Sequence, residues 1–484
     1  LEGALMVQLK TNLPKFYNDI SEVIRAFIGT VDVALVEEFV PDERDICVSL
    51  EFSAKDGVWL FDAIVAGNTY EYTLDSKHGS ALMEKRYLKR GAKIAVFRAF
   101  KKFMPEKRMP WGSLTGIRPT KLYRELGDEA DARFKNDFEV TDEKIALAQR
   151  ICKIQQPIID ACTDRDISVY VGIPFCKTRC LYCSFASEVL SGKSPVAEYL
   201  EALEKEIRQS APIIRERGFT LRSVYIGGGT PTSLSAAQLD KLIGVMGDAF
   251  GTFGSEFTVE AGRPDTIDEE KLTVLKKRGV TRISINPQTM NDATLERIGR
   301  GHSAQQIDTA FKTARDCGFG LINADIIAGL PGEGEAQMRY TLERIVKLAP
   351  ENLTVHTLAL KRASRLMEHA AQYELPPAEV VERMTAIAGI AADEIGLMPY
   401  YMYRQKYMSG NLENVGYARP GMESLYNIDI MEEECSILAF GAGSISKRVW
   451  RSESRIERQP NPKNIETYME KHGTLIKRKT ELFN

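Results

Sequence analysis

Three cysteines, Cys176, Cys180 and Cys183, fall in the spacing C-x3-C-x2-C. Thiolates are soft ligands that select iron–sulfur clusters, zinc or copper(I). The other five, Cys47, Cys152, Cys162, Cys317 and Cys435, are scattered. Disulfide frameworks belong to short secreted chains; in a chain of 484 residues a tight thiol group points to metal or redox chemistry. A structural zinc site takes four ligands, with a second pair some distance from the first. No second C-x2-C or H-x3-H stands here, and the five histidines (His78, His302, His356, His369 and His472) are dispersed. An ordinary 4Fe-4S cluster takes four thiolates. Three leave one iron open to a substrate or cofactor that brings its own N and O atoms.

The elements that must hold this loop are legible on both sides of it. The cysteines lie just past residues 167–173, the first of six short runs rich in Val, Ile or Tyr. The others are 223–226, 257–261, 282–285, 324–328 and 353–359, all predicted as strands. Helical periodicity predicts helices over 197–209, 236–250, 269–278, 304–316 and 334–348. Parallel strands need such crossover helices, wound right-handed. Six units in a row give either an open doubly wound α/β sheet or a curved partial barrel. In both, ligands gather at the C-terminal ends of the strands.

Residues suited to ligand binding recur at those ends. Gly227-Gly228-Gly229-Thr230 follows the second strand, and a run of glycines lets backbone groups approach a ligand closely; taken alone it is a tight turn. Glu260 ends the third strand, where a capping or surface carboxylate is the plainer reading. Gln288 follows the fourth strand, with Arg300 and His302 downstream in a stretch that also reads as a helix N-cap. Asp325 sits among apolar residues of the fifth strand and needs a specific hydrogen-bond partner, ligand or protein.

Residues 1–130 read as a separate α+β domain, with antiparallel strands over 31–36, 46–50, 58–65 and 70–74 and helices over 79–88 and 93–100. Ten cations lie between Lys85 and Arg108, as a solvated basic face or a docking surface for an anionic molecule. The Gly- and Pro-rich stretch from Pro110 to Lys121 predicts a fixed loop, packed under Trp111 or binding an anion through Thr115, Arg118 and Lys121. Residues 131–165 read as a helical linker, 166–374 as the six-unit α/β body, and 375–484 as an irregular α+β region. That last region holds a helix over 378–395, a Tyr-rich run (Tyr400, Tyr401, Tyr403, Tyr407), a loop over 410–421 and a turn over 441–446. Charge is nearly balanced, 64 Lys plus Arg against 67 Asp plus Glu, so a nucleic-acid partner is not expected. No apolar run spans a bilayer and no secretory signal is read, which gives a cytoplasmic expectation and no membrane partner.

C-x3-C-x2-C after an α/β strand resembles the radical S-adenosylmethionine (SAM) superfamily. The resemblance implies a partial (β/α)6 barrel and a 4Fe-4S cluster on Cys176, Cys180 and Cys183 whose open iron chelates SAM. Reductive cleavage of SAM then gives a radical that takes a hydrogen atom from the substrate. It assigns SAM contacts to Tyr170, Tyr182, Gly228, Gly229, Thr230, Glu260, Gln288, Arg300 and Asp325, and to Ala359, which it puts on the sixth strand.

Ile173-Pro174-Phe175-Cys176, Gly227 to Thr232 and Asp325-Ile326-Ile327-Ala328-Gly329-Leu330-Pro331 resemble, more narrowly, the oxygen-independent coproporphyrinogen III oxidase family. So do Tyr417 to Ser424 and Phe440 to Ser444 in the tail. With the long N-terminal unit and Trp111-Gly112-Ser113-Leu114-Thr115-Gly116-Ile117-Arg118-Pro119, the chain looks like its coproporphyrinogen dehydrogenase branch, in porphyrin and heme biosynthesis. The implied reaction turns two propionates of coproporphyrinogen III into the vinyls of protoporphyrinogen IX, with a single-electron donor such as flavodoxin or ferredoxin. A tetrapyrrole bearing four carboxylates calls for cations, here Arg263, Lys361, Arg362 and Arg365. Decarboxylating members carry a further cysteine where this chain has Phe185, and the heme-chaperone branch has an aromatic there. A heme chaperone therefore stands as one alternative, and a radical SAM enzyme of RNA modification, using the basic segment from Lys85 to Arg108, as another.

Overall fold

The computed structural model describes residues 6–29, 31–40, 44–76, 80–185, 187–361, 363–406 and 408–484. Arg362 and Tyr407, and the predicted start of the first long helix at Gly79, lie outside the described residues. Contacts divide the chain into two compact units, Leu1–Gln149 with Arg404–Leu412, and Arg150–Tyr403 with Glu413–Asn484.

The first unit is built on five strands: β1 (Met6–Thr11), β2 (Asp32–Leu35), β3 (Ile46–Lys55), β4 (Val58–Val65) and β5 (Asn68–Asp75). Their order is β2-β1-β3-β4-β5. The β3-β4-β5 meander is antiparallel, as its alternating apolar residues predict. Its turns, Asp56-Gly57 and Ala66-Gly67, have positive φ at both residues, matching the twist of the flanking strands. The all-antiparallel expectation fails at β1, which pairs in parallel with both β2 and β3. The crossover from β1 to β2 runs through the helix Tyr17–Ile28, which, like β1, has no counterpart among the predicted elements.

The two helices predicted around Lys89–Ala92 are one, Ala81–Phe103. Gly91 weakened the periodicity there, yet it serves packing, since a Cβ would run into the Phe61 ring. Several of the cations on this helix are committed within the unit. Arg98 pairs with Glu139 at 2.9 Å, Lys89 faces Asp19 at 3.4 Å, and Lys101 also meets Glu139. Trp111 is fully buried with the Arg404 guanidinium over its ring, and Thr115 donates to Glu22.

The second unit carries the cysteine loop. Its first strand is β6 (Asp166–Ile173), followed by the two-residue ladder of β7 (Phe175–Cys176) and β8 (Glu188–Val189). Then come β9 (Thr220–Gly228), β10 (Glu256–Glu260), β11 (Arg282–Ser284), β12 (Ile322–Ala328) and β13 (Asn352–Thr357). In the sheet β6, β9, β10, β11, β12 and β13 are neighbours in chain order, all parallel. A doubly wound sheet would reverse direction partway. This one never does, which decides for the partial barrel. The crossovers contain Val196–Ser210, Ala236–Phe250, Glu269–Lys277, Ala304–Asp316 and Glu335–Leu348. Capping boxes, Ser235 with Gln238 and Ser303 with Gln306, fix two of their starts.

The tail adds β14 (Met398–Tyr403) and β15 (Asn414–Ala418) beside β13, and β16 (Ser436–Phe440), β17 (Ile445–Trp450) and β18 (Arg455–Pro460) beside β6. The loop expected over 410–421 thus contains a strand, whose Asn and Gly residues masked it although all five of its residues are buried. Ala359 is also displaced from its expected place, lying two residues past the end of β13. Among the described residues no helix is long and apolar enough to cross a membrane.

Candidate active site

β6 feeds the chain through Ile173-Pro174-Phe175 into Cys176, and backbone bonds pin the loop that follows. Gly229 N–H donates to Ile173 C=O at 2.7 Å, and Thr230 N–H to Phe175 C=O at 2.8 Å. Leu181 N–H donates to Ile298 C=O, and Leu181 C=O accepts from Leu366 N–H, both at 2.9 Å. Thr178 Oγ1 donates to Gly299 C=O at 3.0 Å. Arg263, held by Asp265 through two bonds of 3.1 and 3.2 Å, donates to Thr178 Oγ1 at 2.7 Å and reaches Cys180 Sγ at 3.8 Å.

The loop is therefore fixed by its backbone and its non-cysteine side chains. All three thiols are half-buried and free. Burial pushes the Cys183 thiol up, opposed by the Phe185 N–H and reinforced by Cys180 and Cys176, so the three sulfurs feel one another.

The glycines serve a purpose the sequence left open. A Cβ on Gly229 would sit 2.5 Å from Phe175 O, and one on Gly228, at φ 112°, would sit 3.0 Å from Ile173 O. Both lack side chains because the end of β9 presses against the backbone that leads into Cys176. Gly227 is closed off similarly, 3.0 Å from the Glu260 carboxylate. Thr230, buried behind them, places Oγ1 3.6 Å from Cys176 Sγ.

A row of half-buried polar side chains crosses the parallel strands beside this loop: Tyr170, Tyr225, Glu260, Asp325 and His356. Tyr170 and Tyr225 pair in register on β6 and β9, and their rings stack with Tyr426 at centroid separations of 4.5 to 6.2 Å. Tyr225 O–H donates to Glu260 Oε1 at 2.6 Å. Burial lifts the Glu260 carboxyl to about 7, with the Tyr225 hydrogen bond opposing and the Asp325 charge reinforcing. Burial would also raise Asp325, but hydrogen bonding to His356, Asn323 and Thr354 holds it below the usual carboxylate range. His356 Nε2 is 3.4 Å from Asp325, and its Nδ1 is 3.4 Å from Tyr403 O–H. The two carboxyls, on β10 and β12 with β11 between them, are thus shifted in opposite directions.

A raised carboxyl pKa means that the folded chain holds its proton more tightly than the unfolded chain does. Stability from this group is present at low pH and is lost as pH climbs from about 4.5 through 7. Glu260→Gln is expected to remove that loss, making the ligand-free variant up to about 3 kcal/mol more stable than wild type near pH 8 and no more stable near pH 5. Urea midpoints across this range measure it, and a constant gap between the two proteins would contradict the assignment. The comparison isolates Glu260 from Asp429, whose carboxyl is also raised, to about 6.

Gln288 and Arg300 close the opposite side. Gln288 has φ 68°, a conformation costing a non-glycine residue about 1 kcal/mol or more. Its N–H donates to Asp325 C=O at 2.8 Å, and its C=O accepts from Ile327 N–H at 2.9 Å. The cost is borne where backbone bonds lock the residue to β12. Arg300 Nη1 donates to the carbonyls of Gly262 and Asn286 at 2.9 and 3.1 Å, and Nη2 to Tyr182 O–H at 3.3 Å. Arg300 Nε and Asn286 Oδ1 are buried without a hydrogen-bond partner among the described residues.

The donor set suits a cluster and a polar ligand: three free thiols, orphaned buried polar atoms, and two carboxyls shifted in opposite directions. Of the expected substrate cations, Arg263 is 3% exposed and spent on Asp265 and the cysteine loop, so it is not available to receive a substrate carboxylate. Lys361 is half-buried, and burial lowers its ammonium against the pull of Cys183. Arg365 is exposed at the start of the short helix Arg365–Glu368. His356, Tyr225, Tyr403 and Tyr426 were missed. For Tyr225, a polar residue between Val224 and Ile226 on a parallel strand was the available signal.

Residues 170–345 match the model of the Radical SAM superfamily. The chain is 43% identical over 372 residues to the oxygen-independent coproporphyrinogen-III oxidase-like protein HemZ of Bacillus subtilis, covering 75% of this chain and 74% of that one. It is 35% identical to the heme chaperone HemW of the same organism, over 57% of this chain and 70% of that one. The structure of coproporphyrinogen III oxidase HemN from Escherichia coli superposes with a TM-score of 0.52 at 24% identity, covering 67% of this chain and 72% of that one.

Proposed function

We propose an activity from one premise: the chain belongs to the radical SAM superfamily and, within it, to the family of oxygen-independent coproporphyrinogen-III oxidase-like proteins. The family's cofactors are a 4Fe-4S cluster and SAM, and together, when bound, they supply abstraction of a hydrogen atom. The reaction is the oxidative decarboxylation of coproporphyrinogen III to protoporphyrinogen IX. Each of two propionates loses a hydrogen atom beside the ring, then carbon dioxide and one electron, which passes to a one-electron acceptor, and becomes a vinyl. A one-electron donor protein, flavodoxin or ferredoxin in kind, completes the system. The observation that supports this reading is that the loop of Cys176, Cys180 and Cys183 follows β6 and is joined to the neighbouring strand ends through Thr230, Arg263 and the Tyr182–Arg300 pair, on the parallel sheet that also carries Glu260 and Asp325.

Each part of the site has a role in it. Cys176, Cys180 and Cys183 hold the cluster, and Arg263 and Thr230 brace the sulfurs of Cys180 and Cys176. Tyr170, Tyr182, Gly228, Gly229, Thr230, Glu260, Gln288, Arg300, Asp325 and Ala359 hold SAM. Asp325, held below the usual carboxylate range, offers an acceptor from β12, and Glu260, lifted to about 7, can offer a proton from β10, while the stack of Tyr170, Tyr225 and Tyr426 keeps water from that wall. Of the expected cations among the described residues, Lys361 and Arg365 are left to receive substrate propionates.

Phe185 favours a second reading. It is 68% exposed beside the cluster loop, an apolar side chain in water where decarboxylating relatives carry a cysteine. Together with the similarity to HemW, this suits a protein that docks heme and passes it on.

An anaerobic assay with reconstituted protein, SAM, a reductant and coproporphyrinogen III separates the two readings. Protoporphyrin and carbon dioxide are expected. SAM cleavage without protoporphyrin would reject this substrate, and stable heme binding with little SAM cleavage would establish the second reading.

A further inference from the structure

We propose that Cys162, Cys435 and Asp429 form a second metal site, for a single divalent cation of the zinc class, at the opposite end of β6 from the cysteine loop. Cys162 lies four residues before β6 begins, and Cys435 directly precedes β16, the parallel neighbour of β6. Asp429 belongs to the helix Leu425–Glu432. The length of β6 puts about 25 Å between this cluster and Cys176.

One ligand atom from each of the three residues lies within 4.8 Å of the others. Tetrahedral zinc, with Zn–S near 2.3 Å and Zn–O near 2.1 Å, needs ligand atoms about 3.5–3.8 Å apart, so small side-chain shifts suffice. The three residues are only 1–2% exposed. The two thiols hydrogen-bond to each other, and their other contacts are long. Cys162 Sγ lies 3.8 and 3.7 Å from the carbonyls of Thr163 and Glu434, and Cys435 Sγ 3.9 Å from Ser168 Oγ.

Asp429 is oriented as metal-binding carboxylates are, by hydrogen bonds to one oxygen. Ser168 Oγ and Arg222 Nε both donate to Oδ2, at 2.9 and 3.2 Å, and Oδ1 has no hydrogen bond among the described residues. A fourth ligand is at hand in Ser168 Oγ, which Ser223 Oγ orients at 2.8 Å, or in the Glu434 carbonyl.

Charge balance supports a divalent ion. With both thiols protonated, the Arg222–Asp429 pair leaves the buried group neutral. A divalent cation that displaces the two thiol protons leaves it neutral again, so no net charge enters the core. The soft pair of sulfurs favours zinc over magnesium or calcium. Bound there, the ion would clip together two parallel strands whose sequences are far apart, and close the sheet beyond β6.

The test is elemental analysis of zinc-exposed, buffer-washed protein. The cluster thiols are first removed as competitors in the Cys176→Ala/Cys180→Ala/Cys183→Ala variant. About one zinc per chain is expected there, falling at least tenfold on adding Cys435→Ala or Cys162→Ala. Cobalt substitution gives a second readout, thiolate-to-metal absorption that disappears with either cysteine. In otherwise wild-type protein, Cys435→Ala is expected to keep the iron content after cluster reconstitution, which shows that the variant is folded. No zinc in the triple variant would overturn the proposal. So would zinc retained without Cys162 or Cys435, or a non-reduced mass two daltons low, which marks a disulfide in place of a metal.

Discussion

Cys180→Ala is expected to abolish SAM cleavage while leaving the fold intact. Cys180 is half-buried, and among the described residues its sulfur's one hydrogen bond is from Arg263 Nη1, at 3.8 Å. The loop around it is fixed by bonds from Thr178 and Leu181 and by the Arg263–Asp265 pair, none of which uses the thiol. Truncation therefore removes one of the proposed cluster ligands and little packing, a stability change within about 1 kcal/mol. Partners that merely orient metal ligands cost about 10–100-fold when removed, so loss of a ligand itself should exceed about 100-fold. The variant should melt with wild type, keep less iron after reconstitution, and release no methionine from SAM. Full turnover with an alanine at 180 would remove Cys180 from the cluster.

Lys479→Ala is expected to destabilise the second unit by about 3 kcal/mol or more. Lys479, from the C-terminal helix Ile465–Phe483, forms an ion pair with Glu206, and both side chains are fully buried. Glu206 also accepts from Tyr468 O–H at 2.7 Å, Gly441 N–H at 2.8 Å and Asn461 Nδ2 at 2.9 Å. Removing the cation leaves a buried carboxylate without its counter-charge, and breaking such pairs costs about 3–5 kcal/mol. The three remaining donors put the expectation at the lower end.

This clasp also bears on the site. It seats Gly441 and Ala442 against Gly172, with Tyr199 O–H donating to Gly172 C=O at 2.6 Å. Gly172 lies four residues before Cys176, so the variant should also lose cluster on standing. Glu206→Gln combined with Lys479→Met, which removes both charges at similar volume, should recover most of the stability. Chemical denaturation measures all three proteins, and a loss below about 1 kcal/mol for Lys479→Ala would contradict the clasp.

What the sequence made legible was what periodicity and local spacing encode. Alternation of short apolar runs with amphipathic helices located β6 and the strands β9 to β13, and three cysteines on one loop needed no long-range information. The choice between open sheet and barrel rested on the family resemblance, because spacing does not record whether strand order reverses. The hidden features were those in which distance along the chain hides closeness in space. Glu206 sits on a helix of mixed polarity, and nothing local announces that Lys479 will bury against it. Cys162 and Cys435 looked scattered because the pairing of β6 with β16 joins segments from opposite ends of the second unit. Gln288 carries no residue signal for its positive φ, since the preference for that conformation belongs to Gly, Asn and Asp. The triple glycine was readable as a close approach, but whether to ligand or to backbone depended on where Phe175 runs.

Electron paramagnetic resonance of the anaerobically reconstituted, reduced protein, recorded with and without SAM, addresses the three-thiol site most directly. The expected result is about four irons per chain, a reduced-cluster signal whose shape shifts when SAM is added, and loss of both in Cys180→Ala. An iron-free protein after reconstitution, or a cluster signal indifferent to SAM, would contradict a cluster held by Cys176, Cys180 and Cys183 with one iron left open.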